Sequence, residues 1–166
     1  MPADAFLSAL EGHCGKAYAG RIVANQPASA TPDPFEGKTL VMHVRGCDDP
    51  TREIRIPFHV GEDRSRTWVL TKTQQGLKLK HDHRHQDGSE DAVTMYGGDT
   101  MNDGTVQKQS FPIDRESIDN FVKNGLTQSI TNVWHMEITP TIFSYQLTRE
   151  QRNFKVDFDL TQPVAL

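Results

Sequence analysis

Three histidines at alternate positions, His81, His83 and His85, end the run Leu77-Lys78-Leu79-Lys80-His81-Asp82-His83-Arg84-His85, and they are the residues best suited by type and spacing to do chemistry. Imidazole titrates near neutral pH and is a common metal ligand. If the run is a β-strand, side chains two apart share a face, so all three rings fall on the side of Leu77 and Leu79 and point to the interior. Strand rise then limits what they can do together. Rings at i and i+2 stand about 6.6 Å apart and those at i and i+4 about 13 Å, so one tetrahedral ion takes at most two. A metal site therefore requires His81 with His83, or His83 with His85, completed by a ligand from elsewhere such as His13, His135, Asp87, Glu90 or Asp91. Two other readings fit the same residues: a polar patch that touches a bound ligand, and the wet rim of a barrel whose interior is filled. In the second reading of the row, protonation near pH 6–7 places charge in a poorly hydrated cavity and makes ligand affinity pH-dependent.

Other residues extend this picture. Glu62-Asp63-Arg64-Ser65-Arg66 reads as a charged hairpin tip, with Arg64 or Arg66 placed to grip an anionic ligand. Trp68 and Trp134 are expected in the core, and Trp68 and Tyr145 are candidate walls for a ligand. Gln86-Asp87-Gly88-Ser89-Glu90-Asp91 lacks the ligand spacing of an EF-hand and reads as a solvated hairpin loop. In Tyr96-Gly97-Gly98-Asp99 the paired glycines suit a bulge or sharp bend that closes a barrel, since no helix start follows to cradle a phosphate. No Gly-x-Ser-x-Gly elbow occurs, and neither Cys14 nor Cys47 lies in a catalytic motif. Whether the chain is an enzyme stays open, because such sites are assembled in space.

The elements that must position these residues are mostly strands. Phe6, Leu7 and Leu10 fall at helical spacing in a short amphipathic helix over 4–11, with Asp4 placed to cap it and Gly12 to end it. A strand over about 16–24 follows, then a Pro-, Ala- and Ser-rich loop over 25–36. Strand-like runs come next at about 38–47, 52–60, 66–74, 77–86, 92–97 and 104–111, and again at 131–139, 142–149 and 153–160. One helix interrupts them over 114–124, where Asp114 can cap and Gly125 can terminate.

Hairpin registers test whether the apolar positions agree. A two-residue turn at Gln75-Gly76 pairs Gln74 with Leu77, Leu70 with His81 and Trp68 with His83. Ile54, Ile56, Phe58 and Val60 then share that face, as do Leu40, Met42 and Val44. Near the C-terminus Trp134, Met136 and Ile138 face Leu147, Tyr145 and Phe143, which in turn face Phe154, Val156 and Phe158. Nine or ten antiparallel strands with one apolar face each cover it by curling closed, so the expected fold is mainly β, an up-and-down barrel with two helices. Thr67, Val69, Thr71 and Thr73, with Lys78, Lys80, Asp82 and Arg84, are assigned to the solvent side, as are His43, Arg45, Arg55 and His59. Cys47 also points out, where it can meet Cys14 beside the helix in a disulfide.

Length and composition set the outer limits. At 166 residues, 36% hydrophobic and 24% charged, the chain can bury one core and reads as a single folded domain. A net charge of −4 with scattered Lys and Arg gives no basic face for nucleic acid. No apolar run approaches the ~18 residues of a membrane-spanning helix, and Met1-Pro2-Ala3-Asp4 lacks the features of a signal peptide. A single pair of cysteines fits one disulfide in an oxidising compartment.

The stretches Arg64-Ser65-Arg66-Thr67-Trp68-Val69-Leu70, Lys80 to Asp91, and Thr94-Met95-Tyr96-Gly97-Gly98-Asp99-Thr100 resemble a group of uncharacterised secreted proteins of Gram-negative bacteria. That resemblance spans most of the chain and implies export to the periplasm or beyond, with no activity attached. The meander with its N-terminal helix also resembles the calycin architecture of lipocalins and fatty-acid-binding proteins, although the lipocalin Gly-x-Trp start is absent. The expected function is an exported barrel that binds a small amphipathic or anionic ligand without catalysis, with Trp68, His81, His83, His85, Tyr145 and Arg66 as contacts. The alternatives are a metal- or haem-associated barrel, catalytic or not, using the histidine row, and a filled barrel that serves as an interaction or structural protein.

Overall fold

Alternating apolar residues make most of this chain a sheet, and the computed structural model describes it over residues 1–28 and 33–166. Helix α1 (Pro2–Glu11) precedes strand β1 (Ala17–Gln26). Strands β2 (Leu40–His43), β3 (Gly46–Asp49), β4 (Glu53–Val60), β5 (Asp63–Lys72), β6 (Leu77–His83), β7 (Tyr96–Asp99) and β8 (Lys108–Pro112) follow. Helix α2 (Arg115–Lys123) and a short turn of 3₁₀ helix (Thr127–Ser129) lead to β9 (Val133–Ile138), β10 (Ile142–Arg149) and β11 (Arg152–Val164). Of the loop expected over 25–36, residues 29–32 lie outside the described residues, and Gln26 belongs to β1.

All pairings are antiparallel, and the sheet runs β7-β6-β5-β4-β2-β1-β11-β10-β9-β8, with β3 added beside β4. This is the expected barrel, nearly closed. The first and last strands are neighbours, so the open seam falls mid-chain, between β7 and β8. Glycine lets β7 pack on both sides: a Cβ on Gly98 would collide with the Pro112 carbonyl across the seam, and one on Gly97, at φ +154°, would collide with the Leu79 carbonyl of β6. The Asp114 N–H donates to Gly97 O, and Ser117 Oγ both accepts from Gly97 N–H and donates to its carbonyl. The Tyr96-Gly97-Gly98-Asp99 stretch thus closes the barrel as a short strand and not as a bend.

The two ends of the barrel differ. At one end α1 turns Ala3, Phe6, Leu7 and Leu10 into the core, while Lys72 Nζ at the end of β5 bonds Asp4 at 2.7 Å. Asp4 is therefore an ion-pair partner and not the cap expected of it; Met1 holds the N-cap position. Here too lies the Cys14–Cys47 disulfide, tying the α1 turn to β3. Asp114 does cap α2, accepting from Ser117 N–H at 2.9 Å. At the opposite end, where Arg66 and Trp134 sit, α2, the 3₁₀ turn and Phe35 close in.

Registers on the C-terminal side match the expectation: Trp134 pairs with Leu147, Met136 with Tyr145 and Ile138 with Phe143, and these with Phe154, Val156 and Phe158. Between β5 and β6 the face is right but the pairs are two residues off. Thr73 to Gly76 form a four-residue loop, its ends joined by Thr73 N–H to Gly76 O, and this places Trp68 opposite His81 and Arg66 opposite His83. The predicted 38–47 strand is split in two, because Val44 donates back to Lys16 and Arg45 to Arg55. The outer face is also less wet than expected. Lys80, Asp82 and His59 are buried there, Lys80 against Asp114 at 2.7 Å and Asp82 against Arg84 at 3.0 Å and Arg55 at 3.6 Å. Arg64 Nη1 donates to His59 Nδ1 at 3.0 Å.

Candidate functional site

Alternation along β6 carries His81 to the interior, where it is only 5% exposed. Its Nδ1 lies 2.9 Å from the Tyr96 carbonyl, which can only accept, so the proton sits on Nδ1. Nε2 is then the acceptor for the Tyr145 hydroxyl at 2.7 Å. Burial holds the His81 pKa down at about 4, the Tyr96 carbonyl bond working weakly the other way, so the ring is neutral at ordinary pH. Burial likewise raises the Tyr145 phenol well above its usual value.

Aromatic contacts fix both rings. His81 stacks on Tyr96 at 4.5 Å and 9°, and Tyr145 stacks on Trp68 at 4.5 Å and 13°. Phe58 also packs on Trp68 at 4.9 Å, and lies 6.3 Å from Tyr145, so the three rings form one cluster. Since β5 and β10 are on opposite walls, the Trp68–Tyr145 stack lies across the bore, with Phe58 of β4 beside it. Beneath it Met42, Ile56, Leu70, Leu79 and Met136 are fully buried. The lower barrel is a packed core.

Above the stack a cavity of about 240 Å³ remains, its walls built by Phe35, Tyr96, Trp134, Tyr145 and Phe154. Ser129 and Asn132 supply polar groups, and Arg66 is the charged residue at its edge. Arg66 points inward because it is two residues from Trp68 on β5. Its guanidinium lies 5.2 Å over the Phe35 ring, and Nη1 bonds Asp63 at 2.8 Å. Burial acts to raise the Asp63 pKa, but bonds from Ser65 and from Arg66 prevail and hold the carboxyl down at about 2. The pair is partly exposed, so a ligand anion can share Arg66 with Asp63 at little cost.

Among the predicted site residues, the structure brings Arg66, Trp68, His81 and Tyr145 to one cavity. Trp68 enters mainly as its floor, packed against Phe58 and Tyr145. His83 is half-buried at the rim, opposite Arg66. His85 does not share the interior. Strand β6 ends at His83, Arg84 bridges to Glu90, and the exposed His85 ring stands 3.8 Å from Asp91. The histidine row thus falls apart with the strand that was to carry it.

The other ligands considered for a metal are also apart. His13 bonds Tyr18 near α1, His135 on the outer face lies between Ser110 and Thr148, and Asp87 accepts from Ser89. An ion taking His81 Nε2 would have to displace the Tyr145 hydroxyl. Among the described residues no group of three or more His, Cys, Asp or Glu side chains is arranged to hold a metal. The Gln86–Asp91 stretch is a hairpin loop, as expected.

Sequence reasoning missed Phe35, Tyr96, Ser129 and Asn132. Phe35 is the one aromatic in a Pro-rich loop, and Tyr96 stands beside two glycines; both are visible signals. Ser129 and Asn132 carried none, since a 3₁₀ turn places them. Comparison of the chain with protein-family models, with curated proteins and with solved structures finds no match.

Proposed function

We propose that this barrel binds one small amphipathic anion at the mouth of its interior, as a carrier or receptor and not as an enzyme. The observation that carries this reading is the cavity of about 240 Å³, apolar and aromatic on its walls with Arg66 at its edge. Apolar walls with a few placed polar groups are the usual make-up of a ligand pocket. The state of the buried polar pair supports binding over catalysis. A general base works best with a pKa near the working pH, whereas His81 is held at about 4 and has both ring nitrogens engaged. Export is part of the proposal, supported by the Cys14–Cys47 bond, which oxidising compartments sustain.

The test is isothermal titration of the purified protein with indole-3-acetate, salicylate and octanoate. At least one acid should saturate below about 1 mM, and Arg66→Met should weaken it by roughly tenfold or more, since a charge-assisted hydrogen bond is worth ~1.5–3 kcal/mol. No saturation by any of the three, or an unchanged affinity in Arg66→Met, sinks the reading.

A further inference from the structure

Resting on that reading of the mouth, we infer that its ligand is a flat aromatic carboxylate of one or two rings, and not an acyl chain. Depth makes the first case. An acyl chain needs a bore to run down, and here Trp68 and Tyr145 stack across it with Phe58 packed beside them, Trp68 only 1% exposed. That floor is pinned from the far wall by the Tyr145–His81 hydrogen bond at 2.7 Å, which joins β10 to β6. Moving it to admit a chain would break a buried hydrogen bond and a cluster of three packed rings together.

Volume makes the second. At about 240 Å³ the cavity falls below the ~300–1,000 Å³ of the usual ligand pocket, which suits a guest of one or two rings with a short acid arm. Shape and charge make the third. The walls are ring faces and edges: Phe35 lies 5.1 Å from Phe154, and Tyr96 lies 5.2 Å from Phe121 and 5.9 Å from Trp134. A planar guest gains offset-stacked or edge-on contacts there that an alkyl chain does not. A rigid guest also has fewer rotors to freeze. Arg66, seated on the Phe35 ring, sets the acid at the rim while the rings lie inside.

Competition among four probes tests this, read by titration calorimetry and by quenching of Trp68 and Trp134 fluorescence: indole-3-acetate, uncharged indole, octanoate and hexadecanoate. Indole-3-acetate should bind at least fivefold more tightly than octanoate and at least tenfold more tightly than indole, and hexadecanoate should not compete. Val93→Trp, at a half-buried loop position on the cavity wall, should abolish aromatic-acid binding while leaving the melting temperature within a few degrees. Octanoate or hexadecanoate binding as well as indole-3-acetate overturns the aromatic assignment and leaves the anion site standing. Failure of every acid, with Arg66→Met silent, overturns the anion site itself.

Discussion

At the scale of single residues, His81 concentrates the consequences of burial. Its pKa falls from 6.5 to about 4 chiefly because the charged ring is desolvated. Between those values the unfolded chain binds a proton that the folded chain does not, so stability is complete above pH 6.5 and declines as pH falls towards 4. The shift corresponds to about 3 kcal/mol across that window. Urea midpoints measured from pH 4 to 7 should therefore fall more steeply with acid in the native protein than in His81→Gln. Coincident slopes would show that His81 is not held neutral. The sequence placed His81 indoors correctly, because alternation from Leu77 and Leu79 decides it, but could not show which partners would take its two nitrogens. Tyr96 and Tyr145 lie 15 and 64 positions away, beyond any local spacing rule. His85 escapes alternation for the opposite reason: the backbone leaves the ladder after His83, two residues before it.

Among the elements, the seam between β7 and β8 is where the barrel depends most on residue type. No β-ladder joins these strands, so closure rests on close approach and on the Ser117 and Asp114 bonds to Gly97. Gly98→Ala puts a methyl group against the Pro112 carbonyl, a backbone atom that cannot swing aside. The expected cost is about 3 kcal/mol or more. Amide hydrogen exchange should show Gly97 and Asp114 losing protection first; protection equal to that of the native protein would mean that the seam is slack. The paired glycines made this closure legible in advance, as did Asp114 at the start of α2. Apolar periodicity also gave the faces of the C-terminal strands and their pairs. It could not give the β5–β6 pairs, because a slip of two residues preserves every face, and only the length of the Thr73–Gly76 loop decides between registers.

For the whole molecule, the chain order separates stability from binding. Strands β1 and β11 join the two termini in mid-sheet, α1 plugs one end, and the cavity opens at the other. The Cys14–Cys47 bond spans 33 positions and lies at the plugged end. In the chain-entropy account a loop of that length contributes ~3–4 kcal/mol, which for a protein of this size is a melting shift of roughly 8–15 °C. Reduction, or the pair Cys14→Ser and Cys47→Ser, should lower the melting temperature by that amount while leaving Arg66-dependent ligand affinity within about twofold at 25 °C. Loss of both together would mean that α1 and the mouth are one cooperative unit. An unchanged melting temperature would mean that the unfolded chain gains no freedom on losing the bond. The division follows from the packed middle of the barrel: its fully buried core, from Met42 to Met136, lies between the two ends and carries the mouth's walls whether or not the plug is tethered.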